Sequence, residues 1–112
     1  MLVHDFLEQT AKRLPGKVAL VCEDKQVTYA QLKIQADSLA DWFLDHGLKP
    51  QDRVVIVLEN SVECVISIFA VLKAGGIFVL LNPGIKAGKL SYILKDSGAR
   101  FCICQQAKKK VL

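Results

Sequence analysis

A chain of 112 residues with 52 % hydrophobic side chains and a mean hydropathy of +0.30 has room for one domain and is too apolar to remain disordered. Lysine and arginine exceed the acids by 15 to 11. Apart from Lys108, Lys109 and Lys110, however, the bases are spread along the chain and do not interleave with aromatics, which argues against a nucleic-acid interface. The longest apolar runs, "VVIVL" and "IFVLL", fall far short of the roughly 18 to 20 residues that span a bilayer, and the N-terminus mixes charges into its apolar residues as a signal peptide does not. No membrane span and a cytoplasmic location are therefore expected.

In chain order, residues 3–13 place Val3, Phe6, Leu7 and Ala11 on one side of a helical wheel and Asp5, Glu8, Gln9 and Lys12 largely on the other, which predicts a short surface helix closed by Pro15-Gly16. Two β-rich pieces follow, "KVALVCE" and "QVTY", joined by a charged turn at Asp24-Lys25, and read as a hairpin. Next, Leu32, Ala36, Leu39, Ala40 and Phe43 recur at helical spacing. Thr28 and Gln31 have the spacing of a capping box, and Gly47 supplies a left-handed residue to end the helix. Trp42 reads as packing and His46 as a last-turn residue at the negative end of the helix dipole.

From Arg53 onward the pattern alternates: "RVVIVL", "SVECVISIFAVLKAG", "IFVLLNP", "KAGKLSYILKDSG", "RFCICQ". The strand-like pieces are continuous apolar runs, as a parallel sheet covered on both faces requires. Asn60 or Ser61 is expected to cap one helix and Gly98 to close the other. The fold class is α/β: a βαβαβ parallel-sheet unit preceded by a helix, a short hairpin and a long helix.

Cys22, Cys64, Cys102 and Cys104 lack the paired spacing of a zinc site and are expected to be buried, reduced thiols, with Cys102 and Cys104 on one face of a strand. Nucleotide chemistry fares no better. The first strand-to-helix turn, "LENSVE", has no glycine and carries Glu59 and Glu63 where a phosphate would sit. In "LLNPGIKAGK", Gly84 and Gly88 match neither common phosphate-loop spacing. Gly75 and Gly76 lie at a helix C-terminus, whose carbonyls repel phosphate, so the pair is expected to be a corner, one glycine left-handed and the other permitting close backbone packing. No serine sits in a nucleophile elbow, His4 and His46 are the only imidazoles, and the acids fall mainly on exposed faces. Catalytic, cofactor-binding and metal residues are each expected to be absent from these positions.

The strings "VTYAQL" (27–32), "LKPQDRVVIVLENSVECVISIFAVLKAGGIFVLLNP" (48–83) and "LSYILKDSGAR" (90–100) resemble the beginning of the adenylate-forming (AMP-binding) enzymes, a superfamily of acyl-CoA synthetases, peptide-synthetase adenylation domains and luciferases. The likeness runs from about Val3 to Gln105. It implies that residues 1–112 are a truncated N-terminal part of an AMP-dependent synthetase/ligase domain, a partial N-terminal subdomain of that fold. "LLNP" is more similar to acyl-CoA synthetases than to amino-acid-activating domains, which usually carry a proline and an aspartate at that strand end. The resemblance implies a ligase that activates a carboxylic acid with ATP and magnesium to an acyl-adenylate and then forms a thioester with a thiol such as CoA. The family's phosphate loop, adenylate contacts, ribose-binding aspartate and mobile lysine have no counterpart here, so this chain alone is expected to need no cofactor and to be inactive. "QQAKKKVL" reads as the approach to a further helix, so the expected partner is the remainder of the synthetase chain, or a second copy by self-association. A free-standing α/β protein-interaction module without catalysis is the alternative.

Overall fold

Four consecutive side chains, Val54, Val55, Ile56 and Val57, are fully buried, and they mark the middle strand of a three-stranded parallel sheet. The computed structural model describes residues 3–22, 25–59 and 61–104. It contains α1 (Val3–Arg13), β1 (Val18–Cys22), β2 (Lys25–Thr28), α2 (Tyr29–Asp45), β3 (Arg53–Val57), α3 (Val62–Lys73), β4 (Ile77–Leu81), α4 (Ala87–Ser97) and β5 (Phe101–Cys104). The strand order is β4-β3-β5, with Val55 opposite both Val79 and Cys102, while β1 and β2 form a separate antiparallel pair. The α/β class and the element order are those the sequence predicts.

Alternation along β3 sends Val54 and Ile56 to one face and Val55 and Val57 to the other. The first pair packs with Ala40, Phe43, Ala70 and Val71 of α2 and α3, the second with Leu90 of α4, so the two crossover helices cover opposite faces. Cover is complete only over β3. Ile77 and Leu80 on β4 remain exposed, because an edge strand has a neighbour on one side only. Among the described residues no helix is long and apolar enough to cross a membrane.

Local signals act as expected at the helix ends. Thr28 Oγ1 accepts from the Gln31 amide at 3.2 Å while Gln31 Oε1 accepts from the Thr28 amide at 3.0 Å, the reciprocal pair of a capping box. Ser61 Oγ accepts from the Cys64 amide, and Asn60 lies outside the described residues. Helices α2, α3 and α4 close alike: the amides of Gly47, Gly75 and Gly98 bond the carbonyl three residues back, and the next amide bonds the carbonyl five residues back.

Three expectations change. Phe6 is 58 % exposed, because α1 buries the line Leu7, Thr10, Ala11 against its neighbours and Phe6 falls beside that stripe. Lys25 belongs to β2, while Asp24 lies outside the described residues. The acids are not all solvated surface. Lys73, its side chain 14 % exposed, pairs with Glu8 of α1 and Asp37 of α2, and Asp37 Oδ2 also accepts from Lys33 at 2.7 Å.

This cluster ties three helices together across sequence distance and sets a pH dependence. The hydrogen bond from Lys73 holds the Glu8 carboxyl below its ordinary pKa against the opposing effect of desolvation, with help from the charges of Lys73, Lys33 and Lys12. A carboxylate depressed by folding contributes stability at neutral pH, and that contribution fades as pH falls through the unfolded and then the folded pKa. The urea midpoint is therefore expected to fall from pH 6 to pH 3, and Lys73→Met to flatten the part of that slope owed to Glu8. Equal slopes in the two proteins would contradict the assignment.

Candidate functional site

In an open parallel sheet the place for a ligand is the crevice beyond the carboxyl ends of the strands. Here that rim is formed by Leu58 and Glu59 after β3 and by Asn82, Pro83 and Gly84 after β4, which line a cleft of about 480 Å³. A second cleft of about 720 Å³ adjoins it, lined by Asn82, Ile85, Lys86, Lys89 and Ile93.

The polar groups of this rim are committed to one another. Ser61 Oγ donates to the Glu59 carbonyl at 2.9 Å and accepts from the Cys64 amide at 3.2 Å, so the first turn of α3 is capped by its own chain. Glu63, in the same turn, accepts from Lys25 Nζ at 3.0 Å, which, ahead of its own backbone amide, holds its carboxyl below the ordinary range. The acidic charge foreseen beside this turn is thus partly met by β2. In the next turn Asn82 Oδ1 accepts from the Gly84 amide at 2.7 Å and the Asn82 carbonyl from Ile85 at 3.0 Å. Lys86 caps α4 without a side-chain bond. Two lysines give this corner the sign a phosphate requires, but the Gly84 and Ile85 amides turn back on Asn82.

These residues do not match a glycine-rich phosphate cradle. Ser61 caps α3, with Glu63 in its first turn; before α4 the Gly84 and Ile85 amides turn back on Asn82, and although no side chain caps α4 the glycine spacing there is not that of a phosphate loop. Gly75-Gly76 is the corner that the sequence predicts. Gly75 has φ +85°, and a β-carbon on Gly76 would lie 3.0 Å from the Asp52 carbonyl and 3.2 Å from Val71 Cγ1. That carbonyl also accepts from the Ile77 amide at 2.9 Å, so the pair fastens the start of β4 to the loop before β3.

The remaining candidates are dispersed. His46 is the C-cap of α2, its Nδ1 2.8 Å from the Trp42 carbonyl and its ring stacked on Trp42 at 4.0 Å. The side chains of His4 and Cys22 lie outside the description. Cys64 is buried, and burial pushes its thiol up, whereas Cys102 is exposed and Cys104 half-buried, a departure from the expected burial that follows from their place on an outer strand. Among the described residues no three histidine, cysteine or acidic side chains converge on a metal position. The ionic cluster around Lys73 is the grouping that sequence reasoning missed. Its one local trace is the Lys33/Asp37 spacing, which puts both on one helical face.

Comparison with known proteins places the chain in a family. The AMP-binding enzyme family matches residues 7–112. Gramicidin S synthase 1 of Brevibacillus brevis is 38 % identical over 104 residues, 93 % of this chain but 10 % of that protein. The N-terminal subdomain of Klebsiella oxytoca NpsA superposes with a TM-score of 0.83 at 30 % identity, over 93 % of this chain and 27 % of that one. The anthranilate CoA ligase AuaEII, solved with anthranoyl-AMP, gives 0.91 at 28 % identity, over 97 % of this chain and 21 % of the ligase. The chain thus spans a small part of each relative. With nearly its whole length matched by one family and its fold shared with solved adenylate-forming enzymes, this chain belongs to the AMP-binding enzyme family.

Proposed function

We propose that the chain is an N-terminal framework segment of a longer adenylate-forming ligase and has no catalytic activity alone. The observation that carries this reading is the family match over residues 7–112, set against strand-end turns whose polar groups are already bonded to one another. The complete enzyme would join a carboxylic acid to AMP at the expense of ATP, with magnesium, and pass the acyl group to a thiol. A carboxylate is a poor electrophile, and the adenylate gives it a good leaving group.

The similarity to gramicidin S synthase 1 and to NpsA favours a peptide-synthetase adenylation domain over the acyl-CoA synthetase that "LLNP" pointed to. The likeness to a CoA ligase keeps CoA as the second candidate acceptor. The partner is the remainder of the synthetase. Exposed Trp42, Ile77 and Leu80 support this, since they lie where further chain would give cover, and without it they favour self-association. Free Cys64, Cys102 and Cys104 support a reducing, cytoplasmic setting. The test is acid-dependent exchange of pyrophosphate into ATP, expected only when the rest of the domain is present.

A further inference from the structure

A cleft runs along the flank of β5 and not over one of its faces. Phe101 and Ile103 stand opposite Val54 and Ile56 and share the face that packs on α2 and α3, while Cys102 and Cys104 stand opposite Val55 and Val57 on the face of α4. Yet all four residues of β5 line one cleft of about 320 Å³, together with Leu39, Trp42 and Phe43 of α2. Consecutive residues that point to opposite faces border a common space only along an edge, and the other edge of β5 is bonded to β3. The cleft therefore lies where a fourth strand would run, beneath exposed Trp42, whose ring centroid is 5.6 Å from that of Phe101.

The chemistry of this edge suits a strand. In a parallel sheet every second residue of an outer strand turns its amide and carbonyl away from its neighbour, and these groups accept a further strand. Edges that stay open in a finished protein are guarded by lysine, proline or a bulge, and "FCIC" carries neither a charge nor a proline. β4 is equally unguarded, but the clefts beyond the strand ends reach it only at Leu80 and Leu81, its carboxyl end. β5 is the edge that already has an apolar roof along its length.

We propose that the outer edge of β5 receives an apolar β-strand from the remaining part of the same adenylate-forming domain, bonded to the β5 backbone and seating a side chain in the cleft under Trp42. This rests on the framework reading above. The occupant follows from size: the NpsA subdomain that superposes on 93 % of this chain meets it in 27 % of its own length, so most of such a subdomain is available to complete the sheet.

The test co-expresses the chain with the part of the NpsA N-terminal subdomain that it does not match, recovers the complex by a tag on the chain, and follows amide hydrogen exchange by mass spectrometry. Amides of β5 are expected to exchange at least tenfold more slowly in the complex than in the chain alone. Trp42→Lys, at an exposed helical position, should lower recovery of the second polypeptide at least tenfold while the far-ultraviolet circular dichroism of the chain is unchanged. A complex that leaves the β5 amides unprotected, or that Trp42→Lys does not weaken, would overturn the proposal and leave the framework reading standing; no complex at all would overturn both. Protection of β5 in the chain alone, growing with concentration as a dimer forms, would assign the edge to a second copy and equally overturn the proposal.

Discussion

Phe43→Ala is expected to cost about 3–5 kcal/mol, the usual range for deleting a fully buried aromatic ring. Phe43 is 1 % exposed and lies where α2 meets the sheet, with ring centroids 5.3 Å from Phe101 and 5.6 Å from Trp42. Its carbonyl accepts from the Leu48 amide in the closing turn of α2, and both side chains belong to the core that holds Val54 and Ile56. Truncation leaves a cavity at the junction of helix, turn and β5, which backbone bonded on all sides cannot close. A small domain has about 5–15 kcal/mol to lose, so most of its margin goes with this one side chain. Urea unfolding followed by circular dichroism measures the loss, and a cost under about 1 kcal/mol would show that the site collapses around the deletion.

Gly76→Ala is expected to cost about 1–3 kcal/mol for the addition of one methyl group, because the atom in the way is backbone. The new β-carbon would meet the Asp52 carbonyl at 3.0 Å, and moving that oxygen disturbs its bond to Ile77 at the first residue of β4. Gly75→Ala fails for another reason, its φ of +85°, at about 1–2 kcal/mol. Gly88→Ala supplies the contrast, since that position in α4 has nothing within 4 Å and negative φ, and it should gain up to about 1 kcal/mol of helix propensity. If all three changes fell within about 0.5 kcal/mol of wild type, the corner would not be under the close constraint the geometry describes.

Elements whose signals are local were legible in the sequence. The T-x-x-Q cap, the glycines at 47, 75 and 98, and the apolar runs of β3 and β4 each specify their own backbone, and each lies where its pattern places it. Groupings made by packing were not. Glu8, Asp37 and Lys73 are scattered in the sequence and meet because α1 and α3 both pack on α2, so only the Lys33/Asp37 pair left a trace. Exposure at the sheet edges was equally hidden. "FCIC" and "IFVLL" read as buried strands because their composition is that of a covered sheet, yet among the described residues no strand pairs with the outer flanks of β4 and β5.

The preference for an acyl-CoA synthetase is not confirmed, for a related reason. Four residues at one strand end, "LLNP", were asked to separate branches of a family that share this frame, whereas identity along the full matched length leans toward the peptide synthetases. A framework segment is constrained by sheet packing common to all branches.

The most direct measurement is therefore acid-dependent exchange of labelled pyrophosphate into ATP, made with the purified chain alone and with the remaining length of an adenylate-forming domain supplied as a second polypeptide. The chain alone should match the buffer blank for every acid tried, and the complemented pair should exchange. Exchange by the chain alone, or a complemented pair no more active than the second polypeptide by itself, would contradict a framework role.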